Sequence, residues 1–383
     1  MNTRNTPQNH HVRLRRTAIA LVSSAAALSL SACSAIDAFG DGGKGTAGPT
    51  KGNDVTVGLL LPETENSRYE KFDYPIIKKQ VAKLTDGQGK VEYANAASDE
   101  KKQKSQLQRM IDDKVDAILL DAVNSKSIAS GVKAAQDAGI PVIAYDRLAE
   151  GPIDAYVSFD NELVGEAQGG AILKALGSHA SSSKVVMMNG SPSDPNAAQF
   201  KQGALSELQG SVQIVKSYDT KDWKAENAAA NMKKAIALVG AHDIDAVYAA
   251  NDGLAGAVIN ALKDAGVDEI PPVTGQDAEL AGVQRVISGE QYMTVYKPYP
   301  DEASAAAEMA VLKAQGRNFE FEALAADTID SPTKKGVLYR MIPVVTLTKA
   351  NVKTTVVADG IYTVKQICTA KFATDCTEIG LRK

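Results

Sequence analysis

The chain has 383 residues, of which 44% are hydrophobic, 23% charged and 5% aromatic, and its formal net charge is −4. That length and apolar content suit two folded domains better than a single core. The surplus of acid disfavours nucleic-acid and anionic-lipid ligands, whose phosphates it would repel.

At the N-terminus, Arg4, Arg13, Arg15 and Arg16 precede the apolar run "TAIALVSSAAALSLSA", and no acid occurs before Asp37. This pattern predicts a secretory signal peptide over residues 1–33. The run is too short and too rich in Ser and Ala to span a bilayer comfortably. Its end, "LSAC", resembles the lipobox of bacterial lipoproteins, which implies lipidation of Cys33 as the first mature residue. Residues 34–53 contain six glycines and no apolar periodicity. They read as a flexible linker with a reach of roughly 25 Å. Removing residues 1–33 takes away four arginines and no acid, which leaves 38 Lys+Arg against 46 Asp+Glu and a body of net charge −8.

From Val55 onward, short β-branched runs alternate with amphipathic stretches. "VTVGLLL", "VEYANA", "AILLDAV", "PVIAYD" and "AYVSFD" form one series of predicted strands, and "KVVMMNG", "VQIVKSY", "AVYAAND", "PVTGQD" and "YMTVYKP" a second. Between them lie helical patterns such as "DEKKQKSQLQRMIDD", in which Leu107, Met110 and Ile111 share one face. Strands this apolar belong in parallel sheets covered by helices on both faces, so two α/β lobes are expected. "AAQDAGIPVIAYD" and "ALKDAGVDEIPPVTGQD" are alike in the two halves. Common descent and shared α/β grammar both account for that likeness.

Parallel sheets bind ligands beyond the carboxyl ends of their strands. Asp146 with Arg147, Asn251 with Asp252, and Gln276 with Asp277 all fall at such ends. If two sheets face one another, these groups converge. No nucleotide-binding glycine motif, no GxSxG elbow and no EF-hand run accompanies them. The four histidines are scattered, and two lie before residue 33. Neither a metal site, a cofactor site nor an activated nucleophile is expected. Near the C-terminus, Cys368 and Cys376 sit in "CTAKFATDC", and export to an oxidising compartment favours a structural disulfide between them.

The segments "IPVIAYDR", "VSFDNELVGEAQG", "NGSPSDPNAAQFKQGAL", "YAANDGLAGAVINAL" and "VTGQDAELAGVQRVISGEQYMTVYKP" together closely resemble the xylose-binding protein family. These are the substrate-binding components of sugar ABC importers, with the type I periplasmic-binding-protein fold. The likeness runs from about Val55 to Thr348. It implies two Rossmann-like lobes with parallel sheets, joined by three hinge strands near Asp160, Met293–Lys297 and "MIPVVTLT". Residues 54–160 plus about 297–330 would form one lobe, and 161–296 plus about 331–383 the other and the tail.

By the same resemblance, Arg68, Tyr69, Asp146, Arg147, Asn196, Trp223, Asn251, Asp277 and Lys297 would hold a monosaccharide. A pyranose carries hydroxyls that both donate and accept, which carboxylate, amide and guanidinium groups can grip in pairs, while an indole covers its C–H face. Each residue also has a plainer reading. Asp146 and Arg147 would form a simple ion pair, Trp223 a packing contact, Asn251 or Asp252 a helix cap, and Lys297 a solvated strand end. Asp160 and Asn161 suit hinge and cap positions. Tyr69 stands where the family commonly has tryptophan, and Pro195 where it has the first asparagine of DNNA, so the identity of the sugar stays open among xylose, glucose, galactose and arabinose.

The expected role is therefore non-enzymatic: a lipid-anchored, monomeric monosaccharide-binding protein that serves the transmembrane subunits of an ABC permease. The alternative is a sensor that presents its ligand to a membrane receptor. A nucleoside binder would favour paired aromatics, an enzyme would need a turnover residue, and a repressor of this fold would carry an N-terminal helix-turn-helix.

Overall fold

Helices cover both faces of each main sheet in the computed structural model, which describes residues 51–325 and 327–381. The expected signal peptide, Cys33 and residues 34–50 of the expected linker lie outside the described residues. None of the described helices is long and apolar enough to cross a membrane.

The first lobe runs β1 (Thr56–Leu61), α1 (Tyr74–Leu84), β2 (Lys90–Asn95), α2 (Glu100–Asp112), β3 (Ala117–Leu120), α3 (Ala129–Asp137), β4 (Val142–Tyr145) and β5 (Ala155–Phe159). Every residue of β3, β4 and β5 is buried, as a doubly covered sheet requires. Asp99 caps α2 by accepting from the amides of Lys101 and Lys102. That helix turns Leu107 and Met110 inward, with Ile111 half-buried beside them.

The second lobe follows as α4 (Asn161–Leu176), β6 (Lys184–Asn189), α5 (Pro195–Leu208), β7 (Gln213–Asp219), α6 (Ala225–Val239), β8 (Ala246–Ala249), α7 (Asp252–Asp264), α8 (Leu280–Ser288) and β9 (Thr294–Tyr296). Its parallel sheet has the order β7-β6-β8. The expected strand "PVTGQD" is reduced to bridges of Val273 with Val247 and Gln276 with Val295, because Pro271 and Pro272 lack amide donors. Helices α4 and α5 cross in backbone contact. A Cβ at Gly165 would lie 2.0 Å from the Phe200 carbonyl oxygen, and one at Gly203 equally close to that of Glu162.

The chain then returns through α9 (Tyr299–Ala314), α10 (Asn318–Ala323), β10 (Asp327–Ile329), β11 (Val337–Ile342) and β12 (Val345–Leu347), and ends with α11 (Val364–Ile367) and α12 (Ala373–Glu378). The first sheet has seven strands in the order β10-β11-β5-β4-β3-β1-β2, with only β10 antiparallel to its neighbour. Here the structure corrects the expected lobe boundary, since residues 331–342 belong to the first lobe and not the second. β11 pairs in parallel with β5 from Leu338↔Ala155 to Ile342↔Phe159. It covers an edge that would otherwise expose unpaired backbone, and Tyr339 stacks on Tyr156 at 5.1 Å. β12 pairs instead with β9. The chain thus passes between lobes three times: after Phe159, after Tyr296 and after Ile342.

Beyond β12 the tail packs on α8, where Val352, Val356, Ile361, Tyr362 and Ile367 share an apolar cluster with Val283, Val286 and Ile287. The sulfurs of Cys368 and Cys376 meet at 2.04 Å.

Candidate functional site

The strand ends of both lobes converge on one narrow space between them. All nine residues expected there line it, together with Glu63, Asn66, Asp194, Phe200 and Gln276. Every hydrogen-bonding side chain among them is nearly buried.

Arg68 follows β1 and is held from three sides. Its guanidinium meets Asp146 Oδ2 at 2.7 Å, Asp73 Oδ2 at 2.8 Å and the carboxylate of Glu302. The Asp146 main-chain oxygen accepts from the hydroxyls of Tyr156 and Ser158 at 2.8 and 2.7 Å, so this strand end cannot drift. Burial alone would raise the Asp146 pKa, but Arg68, Lys297 and Arg147 outweigh it and hold the carboxyl below its ordinary value. Asp146 and Arg147 do not form the simple neighbouring ion pair: Asp146 pairs with Arg68, while Arg147 reaches into the other lobe.

That partner is Asp194, whose Oδ2 lies 2.8 Å from Arg147 Nε. In "SPSDPNAA", Asp194 is the cap of α5 and Pro195 its first residue, a position where a missing amide costs nothing. The Asp194 Oδ1 accepts from the Asn196 amide at 2.9 Å, while Oδ2 also accepts from the Trp223 indole N–H at 3.0 Å. One carboxylate therefore caps a helix, orients the indole and binds the opposite lobe. The benzo ring of the indole lies against Gly190, where a Cβ would come 2.0 Å from its Cη2.

On the second lobe, Asn251 caps α7 by accepting from the Leu254 amide at 2.9 Å, and still faces the cavity. Its neighbour Asp252 turns away to Gln291, Thr294 and the Glu279 amide. Asp277 Oδ1 meets Lys297 Nζ at 2.8 Å, and its Oδ2 accepts from Asn66 of the first lobe. Lys297 is no solvated strand end. It is buried, with its ammonium over the rings of Phe159 and Phe200 at 5.3 and 5.6 Å. Burial opposes its charge, yet Asp277 and then Asp146 raise its pKa, so it stays protonated.

Three cavity residues adopt left-handed backbone: Asp146 at φ 58°, Trp223 at φ 56° and Asp277 at φ 86°. Each costs about 1–3 kcal/mol relative to relaxed backbone, and each aims a strand-end or loop side chain into the space between the lobes. Two buried acceptors, Asn196 Oδ1 and Gln276 Oε1, have no hydrogen-bond partner among the described residues. Buried polar atoms are ordinarily paired, so these two remain open to a donor. Glu63, against the same wall, is raised by burial, only partly offset by Arg147, to a pKa of about 7.

Sequence reasoning did not single out Glu63, Asn66, Asp194 and Phe200, and it placed Gln276 only at a strand end. Asp194 was visible as a cap before proline; the other three carry no local signal. No cluster of three or more His, Cys, Asp or Glu placed to hold a metal occurs among the described residues.

Two doubly wound lobes, three crossings and a polar cavity shared by both lobes define a bilobal small-molecule binding protein. The chain belongs to the periplasmic binding protein family, whose domain matches residues 57–318. It is 36% identical over 315 residues to the D-xylose-binding periplasmic protein of Escherichia coli, covering 81% of this chain and 91% of the relative. With the multiple sugar-binding periplasmic receptor ChvE of Rhizobium radiobacter it shares 30% identity over 334 residues, covering 82% and 92%. Among solved structures, an ABC transporter solute binding protein of Clostridium phytofermentans with bound beta-D-glucose superposes with a TM-score of 0.74 at 29% identity, covering 82% of this chain and 99% of that one. Its relatives bind and do not catalyse, and the protein is likewise not an enzyme.

Proposed function

We propose that the protein is an extracytoplasmic lipoprotein, anchored through Cys33, that binds xylose or a related pentose or hexose and delivers it to an ABC permease. The observation that carries this reading is the cavity itself, where Asp146 and Arg68 of one lobe face Asn196, Asn251 and Asp277 of the other. Such a set offers acceptors and donors around a ring of hydroxyls. Trp223 and Phe200 supply an apolar wall suited to the C–H face of a sugar. The xylose- and glucose-binding relatives support the same ligand class.

Binding is coupled to closure, because only the closed arrangement lets both lobes touch one ligand. A dissociation constant at or below the micromolar range, about −8 kcal/mol, would suit a scavenger. Titration of tryptophan fluorescence and calorimetry against D-xylose, D-glucose, D-galactose and L-arabinose test this. At least one should saturate at micromolar concentration, and millimolar or absent binding by all four overturns the reading.

The receptor named among the relatives favours a second reading, in which the loaded protein signals to a membrane receptor. Reconstitution with a candidate permease and its ATPase separates the two: a transporter partner gives protein-dependent sugar uptake, whereas a sensor gives none.

A further inference from the structure

Asn66 lies in the loop after β1, 9% exposed, and its orientation is imposed by its own neighbours. Its Oδ1 accepts from the Arg68 amide at 3.1 Å, while its backbone N–H donates to Glu63 Oε2 at 2.9 Å. The NH₂ group is thereby aimed across the cleft, where it donates to Asp277 Oδ2 at 2.8 Å. Asp277 stands on the second lobe in left-handed backbone, with Lys297 on its other oxygen.

We infer that Asn66 is a positioning residue: a clasp that forms only when the lobes close and that fixes Asp277 in the orientation in which it receives the ligand. Before closure, Asp277 has Lys297 alone and one free oxygen. Closure delivers a neutral donor to that oxygen, so the rotation of the carboxylate is set by the first lobe. A contact made in only one of two states shifts the population toward that state. Asn66 therefore ties closure to the geometry of a residue 211 positions away. This inference rests on the cavity being the sugar site, and the test separates the two.

Asn66→Asp is the informative change. It keeps the acceptor for the Arg68 amide but sets a second carboxylate against Asp277, a like-charge pair that protonation relieves. Glu63, Arg68, Asp277 and Lys297 face the position, and Asp252 and Glu279 act on Asp277 from the second lobe; Glu63, Asp252 and Glu279 titrate in the same range, so each variant is compared with the parent at the same pH. Binding of D-xylose to the intact protein by Asn66→Asp should weaken about tenfold or more at pH 8 and largely recover at pH 5, whereas Asn66→Ala should weaken it by several-fold at both. Small-angle scattering without sugar should show Asn66→Asp shifted toward a more open form at pH 8 but not at pH 5. Parent-like affinity and scattering of Asn66→Asp at pH 8, or an equal loss at both pH values, overturns the clasp. If the parent binds no sugar while the variant still opens at pH 8 alone, the clasp stands and the sugar reading falls.

Discussion

Asn196 and Asp146 join the two lobes directly: the Asn196 amide at the start of α5 donates to Asp146 Oδ1 at 2.7 Å and to the Asp146 main-chain oxygen at 3.0 Å. Asp146 also holds Arg68, so it is where a first-lobe cation, a second-lobe amide and the proposed ligand meet.

Truncating that residue should therefore be costly. Asp146→Ala removes one of the three carboxylates around the buried Arg68 guanidinium and the side-chain acceptor of Asn196, and sugar affinity should fall by about 2–5 kcal/mol. Calorimetry checks this; affinity within a few-fold of the parent rules out Asp146 as a ligand residue.

A second expectation concerns the indole. Because any side chain at Gly190 collides with Trp223, Gly190→Ala should push the ring off its seat. The fluorescence maximum of the single tryptophan should shift even without ligand, and affinity should drop by about 1–2 kcal/mol if the ring forms one wall of the site. An unchanged spectrum would mean that the ring is held elsewhere.

Stability should depend on pH through buried carboxyls. Burial raises Glu63 and Asp252 to about 7 and Glu279 to about 8, all above their unfolded values. Between roughly pH 4.5 and 8 the folded chain then keeps protons that the unfolded chain releases, so stability falls as pH rises through this window. For Glu63 alone, the rise from 4.5 to about 7 corresponds to an effect on the order of 3 kcal/mol. Glu63→Gln should melt higher than the parent at pH 8 and nearly equally at pH 5, as thermal unfolding would show; an equal offset at both pH values contradicts this.

The tail offers a separate test. If Cys368 and Cys376 are bonded in the exported protein, as we propose, the link closes a loop across a sequence separation of 8, and chain-entropy arguments assign it about 2.5 kcal/mol. Replacing both with serine should free the tail from α8 and raise proteolytic cleavage near residues 365–378. Protection equal to the parent, together with two titratable thiols in the parent, would show that no bond forms.

Much of this was legible before any coordinates. The alternation of apolar runs with amphipathic helices requires covered parallel sheets, and the strand-end rule picked out Asp146, Arg147, Asn251, Asp252, Gln276 and Asp277, of which all but Asp252 line the cavity. Asn66 and Glu63 stayed hidden because "PETEN" reads as an ordinary polar loop; its value comes from distant residues, Arg147 for Glu63 and Asp277 for Asn66. Asp194 was half legible, since capping before Pro195 accounts for it completely until Arg147 arrives from the opposite lobe.

Local chemistry alone determined the α/β class, the polar strand ends, the cap and proline that start α5, and the small residues that let α4 and α5 touch. Periodicity, capping and steric bulk act over a few residues and are written in neighbouring letters. Which charge meets which was settled only by the folded chain, where Arg147 passes over its neighbour Asp146 to reach Asp194 and β11 returns to the first sheet to cover β5. Those choices depend on distances through space and on the closing of two lobes, and Coulomb attraction and edge pairing take no account of separation along the chain.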